Sequence, residues 1–257
     1  MIPLKDNQPT SSFPIVTIVL IVINVLVYLV QQFTPITELY TLVPAELTQG
    51  LDMRGIPVGQ AVDELGRIHL QYQYVPAVHP AWITIFTAMF MHGGLLHIGG
   101  NMLYLWIFGN NIEDALGKIK FILFYFACGL AATFLQIAVD PFSKVPMLGA
   151  SGAIAGILGA YYILYPGARV LSIVPIFILG AIMEVPAWIV LGLWFVMQLG
   201  QGILGWGAQG GVAVFAHIGG FIAGVVLIKL FGGQKLVTRQ RRRVQYYPPG
   251  GGPFSLR

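Results

Sequence analysis

Apolar residues in this chain gather into long unbroken runs separated by short polar stretches, rather than alternating along strands. The first run extends from Phe13 to about Phe33 and carries no charge. Further runs cover about Leu95–Asn111, Phe121–Val139, Leu148–Tyr165, Pro186–Leu204 and Gly211–Phe231. A helix needs about 20 largely apolar residues to cross the hydrocarbon of a bilayer, so the pattern predicts six membrane helices. A signal peptide would have a shorter apolar core and end at a small-residue cleavage site. No such site follows Phe33, and the first run is read as a retained helix. Two shorter stretches fit less simply. Ala81–Met91 is too short to span and reads as interfacial or re-entrant. Val170–Met183 contains Pro175, ends at Glu184, and reads as a cytoplasmic loop or a lead-in to the fifth helix. Were it to span, the count would be seven.

Composition narrows the class. Of the 257 residues, 56% are hydrophobic and 9% charged, against about 25% charged in an average soluble domain. Mean hydropathy is +0.77. Too few polar side chains exist to solvate a compact globule, and disorder requires the opposite balance. A single cysteine, Cys128, excludes a disulfide scaffold and a multi-cysteine zinc site. The expected fold is an all-α membrane protein, a bundle of six transmembrane helices. Its parts are a cytoplasmic N-terminus (1–12), a first helix (13–33), a long exterior loop with an interfacial segment (34–94), a five-helix portion (95–232) and a basic, disordered cytoplasmic tail (233–257).

Positive charge orients the bundle. Lys5, Lys118, Lys120, Arg169, Lys229 and the tail residues Lys235, Arg239, Arg241, Arg242, Arg243 and Arg257 fall on one side of a six-helix topology. Arg54, Arg67 and Lys144 fall on the other. The first side is therefore cytoplasmic and holds both termini. The basic tail reads as a topology signal near anionic lipid and not as a nucleic-acid patch. The stretch Tyr246–Pro253, rich in Pro and Gly, is expected to be disordered.

Strongly polar residues inside a span are costly and are functional candidates by default. They fall in three places: His92, His97 and Asn101 at the start of the second helix, Ser151 at the start of the fourth, and His217 near the start of the sixth. All three helices run from outside to inside. At about 1.5 Å per residue, the polar groups fall within roughly 10 Å of one another in depth, just below the outer surface. Small residues recur every fourth position beside them: Gly152, Gly156 and Ala160 on one helix, Ala216, Gly220 and Gly224 on another. Such stripes let helix backbones approach closely. Packing these two faces together would bring Ser151 to His217.

A serine with a histidine base, and fixed donors for an oxyanion, is the equipment of acyl transfer. Asn101 and His97 are four apart and project from one helix face. The N-terminus of the fourth helix adds free N–H groups beside Ser151. No carboxylate lies at that depth, so the set reads as a dyad. Metal binding by His92, His97 and His217 is disfavoured, because their spacing lacks an i, i+4 pair and an HExxH motif. A transport path would place such groups near the midplane rather than the outer rim. A metal site is not expected.

His92…His97-xxx-Asn101, Gly149-x-Ser151-Gly152 and Ala216-His217-x-Gly-Gly220-xxx-Gly224, in this order on alternate helices, resemble the rhomboid family of intramembrane serine proteases. The likeness covers about Thr84 to Phe231 and the first run. It implies Ser151 as nucleophile, His217 as general base, and His97, Asn101 and the Ser151 amide as oxyanion hole. Gly149 and Gly152 match the serine motif. His92 would be structural or water-holding, and Glu113 with the following Asp-Ala-Leu-Gly would make hydrogen bonds at a helix end. The resemblance implies transmembrane segments of other proteins within the lipid bilayer as substrates, no nucleic acid among the partners, and neither a metal nor an organic cofactor. An inactive, client-binding relative is the alternative, and a polytopic transporter is a more distant one. With no transit-peptide composition, a prokaryotic inner or plasma membrane is expected. Oligomeric state and substrate identity are not assigned.

The chain departs from the family pattern at three points. Ala155 stands where many members carry an aromatic residue that packs on the histidine; Tyr161 or Phe215 is expected to take that place. The Trp-Arg pair of the first exterior loop is missing, Trp82 being the nearest tryptophan. The exterior segment is also long. Trp82, Trp106, Trp188, Trp194 and Trp206 read as interfacial or packing residues, Met89, Met91 and Met102 as core, and Cys128 as inert.

Overall fold

The computed structural model describes residues 1–50, 53–62, 68–76, 80–176, 179–203 and 213–246, with the backbone alone at 53–62, 68–76, 176, 179 and 242–246. Helices α1 (Ile15–Gln31), α2 (Ile36–Tyr40) and α3 (Pro44–Gln49) open the chain after a short strand, β1 (Ile2–Asp6). A hairpin of β2 (Met53–Val62) and β3 (Ile68–Pro76) follows. The stretch expected to be interfacial is a chain of short helical turns, Ala81–Phe90, with α4 (Thr84–Thr87) at its centre. It meets the next helix at 76°. That helix consists of α5 (Leu95–Tyr104), a π turn (Leu105–Gly109) and α6 (Asn110–Leu116). Then come α7 (Lys118–Val139), α8 (Ser151–Leu164), the strands β4 (Arg169–Ile176) and β5 (Leu179–Pro186), and α9 (Ala187–Ile203), α10 (Val214–Leu230) and α11 (Gln234–Tyr246).

α8 is the axis of the molecule. Eleven of its fourteen residues are buried, as expected of a helix apolar all round. α7 and α10 pack against it through small residues. A Cβ on Gly220 would run into the carbonyl of Gly152, and one on Gly224 into that of Gly156. The two stripes read from the sequence do face each other. Outer helices invert the soluble pattern. α1 turns Val19, Val22, Leu26, Leu29 and Val30 outward and buries Thr17 and Asn24 together with Leu20 and Tyr28. Where the outer surface meets lipid tails, apolar side chains face outward at no cost and polar ones seek protein partners.

Three expectations change. The fold is mainly helical but not all-α. β1 pairs antiparallel with β4, and β4 with β5, in a three-stranded sheet. Over its described residues the stretch Val170–Met183 is thus strand, neither helix nor irregular loop. Its Val and Ile residues favour pleated packing, and the N-terminal strand completes the sheet. Within the tail 233–257, expected to be disordered, α11 forms because Leu236, Val237 and Gln240 share a face that packs inward. Residues 247–253 of its Pro/Gly-rich stretch, Trp206 and the expected helix residues 204, 211 and 212 lie outside the described residues. Finally, the six apolar runs are six helical regions, yet among the described residues only α7, with 22 residues, is long and apolar enough to cross a membrane alone. Bent pairs (Ala81–Phe90 with Leu95–Leu116, and α10 with α11) raise the count to three. α1 and α9 have 17 residues each and α8 has 14.

The chain start and α11 meet at one end of the bundle. Asp114 accepts hydrogen bonds from the Ser11 amide (2.9 Å), the Ser11 and Ser12 hydroxyls (2.8 and 2.6 Å) and Gln240 Nε2 (2.8 Å). Its neighbour Glu113 caps α1, accepting from the amides of Val16 (3.0 Å) and Thr17 (2.8 Å) and from the Thr17 hydroxyl (2.8 Å). This is the helix-end role expected of the Glu-Asp-Ala-Leu-Gly segment.

Candidate active site

At the other end of the bundle, α8 begins with Ser151. The turn before it holds Gly149 at φ +122°, a region open to glycine and strained for other residues. Its amide donates to the Ala88 carbonyl at 2.8 Å, which ties the serine turn to the helical turns before α5. Glycine is required for a second reason. A Cβ here would stand 2.8 Å from His97 Nε2 and 3.6 Å from Asn101 Nδ2. The chain therefore passes directly against the two side chains from the start of α5. Gly152 is equally confined, since a Cβ would lie 2.6 Å from that of Ala132 on α7.

α10 brings His217 to the serine. His217 Nε2 lies 2.8 Å from Ser151 Oγ. The glycine contacts between α8 and α10 set this distance, because bulkier residues would hold the helices apart. Both side chains are half-buried. Beside them a cavity of about 780 Å3 opens, bordered by His97, Asn101, Ser151 and His217. It continues past Ile154 to Leu158. Leu158 is two turns below Ser151, about 10 Å along the helix.

Two donors face this space. Gly93 donates its amide to His97 Nδ1 at 3.3 Å. In the neutral imidazole the proton then sits on Nε2, the nitrogen beside Gly149. Asn101 is buried, and its Nδ2 has no hydrogen-bond partner among the described residues. His92 does not join the cavity. It is 2% exposed, its ring meets that of His97 edge-on at 5.2 Å, and its ring nitrogens have no partner among the described residues. Its backbone is held by Gln31 of α1, which accepts from the His92 amide (3.0 Å) and donates to its carbonyl (3.2 Å). Ser151, His217, His97, Asn101, Gly149 and Gly152 thus converge, and His92 stands behind His97.

The ring against His217 differs from both residues expected. Trp194 of α9 packs on it with ring centroids 5.8 Å apart. Tyr161 is at the opposite end, its hydroxyl donating to Asp6 at 2.6 Å. Phe215 packs toward Gly202. An aromatic at position 155 has no room, because Ala155 is fully buried where Gly220 of α10 approaches. Sequence reasoning also missed Gln198, whose Oε1 lies 2.8 Å from His217 Nδ1. A signal was present: Gln198 is a strongly polar residue in the fifth apolar run. Gln201 shares that run, however, and the pattern does not choose between them.

Comparison with known proteins agrees with this architecture. The Rhomboid domain model matches residues 79–234. The mitochondrial Rhomboid protein 1 of Saccharomyces cerevisiae is 31% identical over 182 residues, covering 68% of this chain and 47% of the yeast protein. Rhomboid protease GluP of Bacillus subtilis is 40% identical over 79 residues, 31% of this chain and 15% of that protein. The mitochondrial presenilin-associated rhomboid-like protein of Rattus norvegicus is 30% identical over 186 residues, 65% of this chain and 46% of that one. The chain spans about half the length of most of the curated relatives it matches, and less of GluP. Their names point to mitochondria and a chloroplast as well as to a bacterium, so the expected prokaryotic membrane draws no support from them. With its matched domain covering more than half of the sequence, this chain belongs to the rhomboid family of integral membrane proteins.

Proposed function

We propose that this protein is an intramembrane serine protease that cuts transmembrane segments of other proteins through a Ser151–His217 dyad. The observation that carries the reading is the 2.8 Å contact between Ser151 Oγ and His217 Nε2 beside an open cavity. His217 takes the serine proton as Oγ attacks the scissile carbonyl. The resulting oxyanion meets His97 Nε2–H, Asn101 Nδ2 and the free amides of the first turn of α8. His217 then gives its proton to the leaving amine, and water hydrolyses the acyl-enzyme by the same route. GluP and the putative YdcA of Bacillus subtilis are named as proteases, which agrees with this reading.

In this reading six helical regions traverse the bilayer, with both termini on the positively charged side. α8 supports a recessed site. At 1.5 Å per residue its fourteen residues reach about 21 Å, short of the roughly 30 Å hydrocarbon layer. With its C-terminal end beside the inner polar cluster, Ser151 falls below the outer face and remains open to water through the cavity. A substrate helix must unwind to offer its peptide bond, so Gly or Pro near the cut eases cleavage.

The test is cleavage of a Gly/Pro-containing transmembrane substrate by the purified protein in detergent, with chelator throughout. Cleavage by the parent and none by Ser151→Ala or His217→Ala is expected. Cleavage that persists in either variant, or that chelation abolishes, would overturn the dyad. A stiff poly-Leu segment cut as fast as the Gly/Pro one would overturn the unwinding argument.

A further inference from the structure

The dyad has a third side chain behind it. Gln198 is nine-tenths buried on α9, and its Oε1 sits 2.8 Å from His217 Nδ1. The other ring nitrogen faces Ser151 Oγ at 2.8 Å. Trp194, one helical turn earlier on the same face of α9, packs against the same ring. One helix thus offers His217 both a wall and a hydrogen-bond partner.

We infer that Gln198 is the positioning residue of this site: its amide oxygen holds the proton of His217 on Nδ1 and so keeps Nε2 free to accept the proton of Ser151. The inference rests on the protease reading for its consequence and on geometry for its substance. A carbonyl oxygen only accepts, so Oε1 beside Nδ1 selects the tautomer with hydrogen there. The opposite tautomer would present N–H to the serine and could not act as a base. As the serine proton arrives, the imidazolium keeps its Nδ1–H bond to the amide dipole. A carboxylate could do the same, but an ionised acid in an apolar helix bundle is expensive to bury. A neutral amide orients the ring without that cost. Among the described residues bordering the cavity none is acidic, and a neutral amide fits that setting.

Leucine and glutamate at this position separate orientation from packing, since both nearly match the size of glutamine. In Gln198→Leu we expect kcat to fall on the order of 10²-fold, the low end of what general base catalysis contributes, with KM within about twofold. The acid limb of its pH–rate profile should move to lower pH, because the imidazolium loses its acceptor. Gln198→Glu should recover most of the rate with the acid limb moved to higher pH. A merely structural role would lower thermal stability and leave both limbs in place.

The second readout needs no activity. Proton–nitrogen correlation of the imidazole in micelles, with the signal identified by its loss in His217→Asn, reports which nitrogen carries hydrogen. Hydrogen on Nδ1 in the parent, and a mixture of both forms in Gln198→Leu, upholds the inference. Hydrogen on Nε2 in the parent, or the same form in both proteins, overturns it, as does an unchanged kcat and pH profile in Gln198→Leu. If the parent neither cleaves nor reacts with a serine-directed fluorophosphonate, the protease reading falls. The nitrogen signals then still decide the orientation of His217.

Discussion

Two polar clusters stand near opposite ends of the helix that runs from Leu95 to Leu116, and they treat their donors and acceptors differently. At the end placed inside by the proposed topology, carboxylates are saturated. Glu113 takes three hydrogen bonds and Asp114 at least four, mostly from the first turns of α1, the chain start and α11. Asp6 adds bonds from Asn111 Nδ2 (2.8 Å) and Tyr161 (2.6 Å). At the outer end, the groups are neutral and partly open. Asn101 Nδ2 has no partner among the described residues, and His97 is exposed to the cavity. Buried polar groups that satisfy one another bind elements together. Groups left facing a cavity keep capacity for something that enters it. The inner cluster reads as the clasp of the fold and the outer one as its chemistry.

Substitutions at the two clusters should therefore fail in different ways. The largest effect is expected at the dyad. Ser151→Ala or His217→Ala should lower substrate cleavage by at least roughly 10³-fold, as for other nucleophile–base pairs, with a thermal midpoint close to that of the parent. A large loss of stability in Ser151→Ala would blur the distinction. Next comes the open donor. Asn101→Ala should lower kcat about 10²-fold, within the range for a lost oxyanion donor, and leave KM nearly unchanged. An equal rise in KM would mean that Asn101 holds the substrate in its ground state.

The inner cluster should show the converse. Glu113→Ala strips the start of α1 of its acceptor and is expected to cost about 2–4 kcal/mol of stability. Thermal unfolding in detergent measures this, while the kcat of the protein that stays folded should remain within a few-fold. The smallest effect is a pH dependence. Burial, partly offset by the Tyr161 hydrogen bond, raises the Asp6 carboxyl above its ordinary value of 3.8. The folded state then holds this proton more tightly than the unfolded one. Stability contributed here is present at low pH and declines as pH rises from about 3.8 through the raised value. Asp6→Asn should flatten that decline in a pH series of unfolding midpoints. An unchanged slope would show that Asp6 is as well solvated folded as unfolded.

Much of this was legible before any coordinates. Apolar runs located the helical regions because the hydropathy of a segment is a local property. Gly152, Gly156, Gly220 and Gly224 announced the α8–α10 contact, since only small residues permit such an approach. Glu113 was recognisable as a helix-end acceptor. Other features were not legible. β1 pairs with β4 across more than 150 residues of chain, and neither Ile2–Asp6 nor Val170–Pro186 carries a sign of that partnership. α11 was hidden by its charges, because the inward face of Leu236, Val237 and Gln240 covers only one side of a basic helix.

The sequence by itself singled out the polar residues that the structure brings together. A serine, two histidines and an asparagine in otherwise apolar helices are few enough to count. Tertiary structure alone decided who stands behind them. Whether Trp194 or Tyr161 reaches the His217 ring, and whether Gln198 or Gln201 meets Nδ1, depends on how α9 is rotated and how deep it sits against α10. Those quantities arise from packing across helices distant in sequence, and a contact that depends on a few ångströms of rotation leaves no periodic trace in the chain.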